Sequence, residues 1–269
     1  MIGDVVGDPG LEALERRLPG FIEENSIDFT VVNGENAAGG FGLTATLLER
    51  IFTAGADIVT GGNHIWEKRE FWPTLDAEAR VIRPMNYPNI YDKEEERIPG
   101  RGAAIIEKPG PLGQATWIVV NLQGREFMSP IDCPFKTFDD FESILKDMNL
   151  KEKPIILIDF HAESSGEKEA LAYYLDGRVT VLAGTHTHVQ TSDERLLPLG
   201  SAYITDLGMT GTLDGVIGMD TKICLERARN QVLYRMEVAA PGKETGMQGI
   251  IAEIDFETGK ALSIKRISF

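Results

Sequence analysis

The sequence predicts an α/β fold: a largely parallel sheet with helices on its faces. Two observations predict it. Short β-branched runs that read as buried strands alternate with stretches of helical periodicity. Just past the ends of several runs stand residues able to bind a ligand, which is where open α/β sheets build their sites.

The elements follow in chain order. The opening Met-Ile-Gly-Asp leaves two or three residues for a first strand, against a usual five or six, so the strand is short or the natural chain starts further upstream. Residues 11–25 carry apolar positions at helical spacing, as do 44–55, 138–150 and 165–177. Residues 28–33, 56–62, 115–123, 154–160 and 177–185 read as strands. The stretch 83–101, rich in proline and charge, is the least regular part. Residues 247–269 read as a hairpin turning at Glu257-Thr258-Gly259. No repeat or linker interrupts the pattern, and residues 1–269 read as one domain.

Composition narrows the function. The chain is 42% hydrophobic and 26% charged, ordinary for a globular protein. Its net charge of −15 argues against long nucleic acid or an anionic membrane as partner. No apolar run approaches the ~18 residues of a membrane span, and no secretory signal is visible. Cys133 and Cys224 are the only cysteines; they supply neither a disulfide framework nor a metal knuckle, and read as reduced thiols of a cytoplasmic protein.

The informative residues lie past the strands. Asp4 follows the first, Asn33-Gly34-Glu35-Asn36 the second, and Gly61-Gly62-Asn63-His64 the third. His161-Ala162-Glu163 and Gly184-Thr185-His186-Thr187-His188 follow two later ones. Each piece alone has an ordinary reading: a turn former, a polar glycine-rich loop, a core histidine. Together they bring all four histidines of the chain, with carboxylates and carboxamides, to one edge of one sheet. Carboxylate, amide oxygen and imidazole without thiolate suit iron, manganese or zinc. Two such ions need a bridging carboxylate, for which Glu35 is the candidate. His186 and His188, two apart, would face the same way in extended chain. A dicationic cleft inside an acidic protein suits a small phosphate ester.

The run Gly3-Asp4, Asn33-Gly34-Glu35-Asn36, Gly61-Gly62-Asn63-His64, Phe160-His161-Ala162-Glu163 and Gly184-Thr185-His186-Thr187-His188-Val189 resembles the calcineurin-like metallophosphoesterase superfamily. More narrowly, it resembles the bacterial YmdB-like subfamily of cyclic-nucleotide phosphodiesterases. The resemblance extends through Thr205–Gly211 to the C-terminal hairpin. Two departures from the wider superfamily fit the narrower one. Asp4-Val5-Val6 replaces an Asp-x-His opening, and Glu35 stands where an aspartate usually bridges, with Asn36 able to supply the missing ligand. The resemblance implies a four-layer α/β/β/α sandwich. It implies one metal at Asp4, Glu35, Asn36 and His188, a second at Glu35, Asn63, His161 and His186, and His64 as the acid that protonates the leaving oxygen. It implies hydrolysis of 2′,3′-cyclic nucleotides. A phosphomonoesterase or 5′-nucleotidase, or a regulatory metal-binding protein with little turnover, shares these residues. A metallo-amidohydrolase also uses His-x-His, but on a first barrel strand rather than a late one. The sequence leaves a homo-oligomer open.

Overall fold

Neighbouring residues of each central strand bury their side chains in different cores, and that sorting reveals the layering. The computed structural model describes residues 1–88, 97–110, 113–148, 150, 153–242 and 245–269. Its strands are β1 (Asp4–Val5), β2 (Val31–Asn33), β3 (Ile58–Thr60), β4 (Val81–Ile82), β5 (Ala103–Gly110), β6 (Gly113–Gln123), β7 (Ile155–His161), β8 (Val181–Thr185), β9 (Arg195–Leu196), β10 (Ala202–Ile204), β11 (Met209–Thr212), β12 (Thr245–Asp255) and β13 (Lys260–Ser268). The α-helices are α1 (Gly7–Asn25), α2 (Ala45–Thr53), α3 (Trp72–Ala77), α4 (Pro134–Asp147), α5 (Ser165–Leu175) and α6 (Thr221–Asn230).

One sheet runs β5-β6-β7-β8-β10-β9, parallel from β6 to β10 and antiparallel at both edges. The other strands form two groups, β2-β3-β4 and β1-β11-β12-β13. Ile2 joins these groups into one layer, pairing with Val32 in parallel and with Gly249 antiparallel. Between the two layers lie Val31, Ile58, Val119, Leu157, Val181, Ala183, Ile204 and Ile250. Their chain neighbours Val32 and Val59 face the other way, onto Leu11, Leu14, Leu18 and Ile51 of α1 and α2. Ile118, Val120, Ile158, Leu182 and Tyr203 face Phe138 of α4 and Leu171 and Leu175 of α5. A strand buried on both faces obeys period two, and here the period separates three cores. The architecture is the four-layer α/β/β/α sandwich.

Several expectations need adjustment. Asp4 does not follow the first strand; it opens β1, and Ile2 pairs ahead of it. His161 is the last residue of β7 rather than the residue beyond it. The helix read at 138–150 starts earlier, because Pro134 suits a first turn that needs no N–H from it. The irregular stretch 83–101 has no strand or helix in its described part; residues 89–96 lie outside the described residues. Among the described residues, no helix is long and apolar enough to cross a membrane.

Candidate metal centre

Seven of the eight singled-out residues meet beside β1 and where β2, β3, β7 and β8 end; the eighth, His64, touches them through its backbone N–H. Asp4, Glu35, Asn36, His161 and His188 are buried, whereas Asn63, His64 and His186 are partly exposed. Glu35 sits at the middle. Its Oε1 lies 3.0 Å from His161 Nε2 and 3.1 Å from Asn36 Nδ2, and its Oε2 accepts the His64 backbone N–H at 3.1 Å. On one side, His161 Nε2 is 3.0 Å from both Asn63 Oδ1 and His186 Nδ1. On the other, Asn36 Nδ2 is 3.3 Å from Asp4 Oδ1 and 3.1 Å from His188 Nε2. Glu35, His161 and His186 offer ligand atoms within 4.8 Å of one another.

The histidine partners fix which nitrogen faces inward. His161 Nδ1 lies 2.9 Å from Thr185 Oγ1, and that hydroxyl donates its own proton to Asp159 Oδ1 at 2.6 Å. Thr185 therefore accepts the His161 Nδ1 proton and leaves the Nε2 lone pair facing Glu35. His186 sends Nε2 to Glu163 Oε2 at 3.3 Å and keeps Nδ1 inward. His188 donates Nδ1–H to the Ile217 carbonyl at 2.9 Å and keeps Nε2 inward. Three imidazoles thus each spend one nitrogen on an outer acceptor and turn the other on the cluster, as metal-binding histidines do.

Lone pairs and carboxylates facing one another require positive charge between them. A proton supplies some of it. Burial raises the Asp4 carboxyl to about 6. Burial would also raise Glu35, but the charge and hydrogen bond of His161 prevail and hold it at about 2. Burial would lower His161, but Glu35 prevails and holds it up at about 9. His186, desolvated and beside that imidazolium, is pushed down to about 3. A proton serves only one pair of these groups, whereas a metal ion serves a whole shell. Asn36 adds a separate sign: its Oδ1 is buried without a hydrogen-bond partner. The two ends of an amide are interchangeable in shape. Turned over, Oδ1 would face Asp4, Glu35 and His188, an arrangement favourable only around a cation. The donor set therefore fits divalent metal.

Gly62 lets the two sheets come this close. A Cβ there would stand 2.2 Å from Glu35 Oε2 and 2.5 Å from His161 Nε2.

The extended reading of His186-Thr187-His188 does not hold. β8 stops at Thr185, and His186 and His188 take φ of 101° and 63°, in the left-handed region that bulky residues avoid. A scaffold absent from the sequence reading imposes this turn. Lys168 of α5 and Asp206, both fully buried, pair at 2.8 Å. Asp206 Oδ2 also accepts the Thr187 backbone N–H at 3.2 Å and its hydroxyl at 2.8 Å. Thr60 and Asp159 are also absent from the sequence reading, which names Asn33 and Thr185 without a role for either. The Asn33 amide donates to Asp159 Oδ2 at 3.0 Å, and the Thr60 hydroxyl donates to the same oxygen. Period two could have found Asp159, which shares a face with His161, and the parallel register sets Thr185 beside it.

His64 stands apart from the other histidines. Its Nδ1 is 3.3 Å from Glu67 Oε1, and its ring lies edge-on to Phe41 at 5.0 Å.

Residues 1–267 match the family described as YmdB-like protein. A 2′,3′-cyclic-nucleotide 2′-phosphodiesterase from Bacillus subtilis is 43% identical over 99% of this chain and 94% of its own length. Among solved structures, a phosphatase from Mycoplasma pneumoniae superposes with a TM-score of 0.86 at 31% identity, covering 100% of this chain and 91% of the other. A hypothetical protein from Thermus thermophilus gives 0.85 at 36% identity, covering 100% and 97%. A 5′-nucleotidase from Candida albicans gives 0.54 at 13% identity over 97% of this chain and 46% of its own, a likeness of fold alone.

Proposed function

The chain belongs to the YmdB-like family, and on that premise we propose that it is a dinuclear metallophosphoesterase hydrolysing 2′,3′-cyclic nucleotides within a single domain of residues 1–269. The observation that carries the reading is the convergence of three imidazoles, two carboxylates and two carboxamides around Glu35. The full-length Bacillus relative supports the substrate class.

Asp4, Asn36 and His188 would hold one ion, Asn63, His161 and His186 the other, and Glu35 both. Oxygen and nitrogen donors without thiolate suit iron or manganese, with zinc as a further fit. When bound, two such ions neutralise phosphoryl oxygens and lower the pKa of a water nucleophile. The chain's residues do the rest. Glu35 accepts the His64 backbone N–H and so fixes that loop against the cluster. Glu67 holds His64 Nδ1 and leaves Nε2 for the leaving oxygen. As water forms its bond to phosphorus and the ester P–O bond breaks, His64 in its imidazolium form gives the Nε2 proton to the departing ribose oxygen and keeps Nδ1–H on Glu67. A cyclic diester carries one negative charge, and the acidic chain favours it over a doubly charged monoester. Two free thiols and the lack of a membrane helix among the described residues support a cytoplasmic setting.

The test is a substrate comparison with His64→Ala. The native enzyme is expected to cleave 2′,3′-cAMP and bis(p-nitrophenyl) phosphate well ahead of p-nitrophenyl phosphate. His64→Ala is expected to keep its metal and to slow 2′,3′-cAMP hydrolysis by ~10²–10⁴-fold. On bis(p-nitrophenyl) phosphate the loss should be small, because p-nitrophenolate departs without a proton. A preference for the monoester would overturn the substrate class. Equal losses on both diesters would overturn the acid role.

A further inference from the structure

Phe127 has no place in the site described above, yet its setting is unusual. Its side chain is 90% exposed, and its φ of 61° lies where a bulky residue is seldom found. The loop carrying it is not loose. Gly124 begins the loop by donating its N–H to the His161 carbonyl at 3.0 Å. The buried carboxylate of Glu167 then accepts the backbone N–H of Arg125 at 3.0 Å and of Glu126 at 3.1 Å. Met128 closes the turn onto the Arg125 carbonyl at 3.2 Å. Strained backbone persists only where its surroundings hold it. Here a buried acid holds it, and the result is an aromatic ring kept in water.

The ring's location gives it a use. Three residues from Gly124, its backbone lies within roughly 11 Å of that glycine, whose N–H is bonded to the His161 carbonyl. The start of its loop is tied to the His64 side of the site: Gly124 is bonded to the His161 carbonyl, and Gln123 before it accepts from Tyr87, which packs on Trp66, two residues from His64. His64 faces the leaving oxygen, so the nucleoside of a cyclic nucleotide projects on this flank. The flank is already aromatic. Trp66 packs on Tyr87 with centroids 4.5 Å apart, and the Tyr87 hydroxyl donates to Gln123 Oε1 at 3.0 Å, just before the loop.

We propose that Phe127 is a substrate-binding residue that stacks on the base of a nucleotide held at the metal centre and so sets the preference for nucleotides over other phosphodiesters. This rests on the phosphodiesterase reading. Stacking on an exposed aromatic is tolerant of base identity and is worth roughly 5- to 150-fold in affinity per base.

The test uses the full-length, metal-loaded protein, native and as Phe127→Ala and Phe127→Trp. Calorimetry with 3′-AMP and with inorganic phosphate reads binding; kcat and KM are measured on 2′,3′-cAMP and on glycerol 1,2-cyclic phosphate, which has no base. Phe127→Ala is expected to weaken 3′-AMP by roughly 5- to 150-fold and to raise KM for 2′,3′-cAMP. Phosphate binding and turnover of the glycerol diester should not change, and Phe127→Trp should restore 3′-AMP affinity. Unchanged 3′-AMP affinity in Phe127→Ala would overturn the proposal. So would equal losses on the two diesters, or a native protein that binds 3′-AMP no better than phosphate. Failure of the native enzyme to cleave either diester would overturn the phosphodiesterase reading instead, and the binding arm would still decide the role of Phe127.

Discussion

His161 ends a seven-residue strand in which every residue is buried, whereas His186 and His188 leave the sheet on a turn with positive φ at both. They serve one cluster from opposite kinds of backbone. On a strand, direction is set by period two and the ladder, so His161 needs only Thr185 and Asp159 to choose its tautomer. On the turn nothing regular sets direction. The chain there is held by side chains from elsewhere, chiefly the Lys168–Asp206 pair and its bonds to Thr187. A strand thus delivers one imidazole to the cluster at little cost, and a turn delivers two at the cost of burying an ion pair.

Removing the clamp is the strongest way to break this contrast. Lys168→Met leaves Asp206 buried without its cation, an effect of about 3–5 kcal/mol. The melting temperature is expected to fall by roughly 6–20 °C in thermal denaturation. Adding Asp206→Asn should recover part of the loss, since no charge is then stranded. A drop below about 2 °C for Lys168→Met would mean that the pair does not hold the turn.

The strand side is broken by crowding. Gly62→Ala puts a methyl against Glu35 and His161. A displacement of that order costs roughly 10²-fold in activity. Secondary structure by circular dichroism should be unchanged. Native activity in this variant would show that the site has slack the geometry denies.

A subtler change sharpens the comparison. Thr185→Val keeps the shape of the side chain and removes the hydroxyl between His161 and Asp159. Metal affinity is expected to fall by about 10- to 100-fold, and Thr185→Ser should restore it. Calorimetric titration of metal into stripped protein reads both variants. Equal affinity in Thr185→Val would assign the His161 tautomer to some other contact.

The same contrast explains what was legible in the sequence. Central strands such as Ile155–His161 announce themselves through continuous apolar runs, so the residues at their ends could be placed on one edge without a structure. α6 buries none of its residues and β9 spans two, so neither leaves a stripe to read. β5 ends in Lys108-Pro109-Gly110, which reads as a turn. Within the site the identity of the converging residues was visible, but not the backbone of His186–His188. That turn depends on Lys168 and Asp206, 38 positions apart, and a lysine on a helix reads as solvent-facing until its partner is known.

The central claim is that Glu35 is shared by two ions, one held through His161 and one through His188. Elemental analysis of purified protein tests it most directly. The native chain is expected to carry close to two transition-metal ions. His161→Ala and His188→Ala should each weaken one, and Glu35→Ala should lose both while remaining folded by circular dichroism. A Glu35→Ala protein that still held two ions would contradict the account.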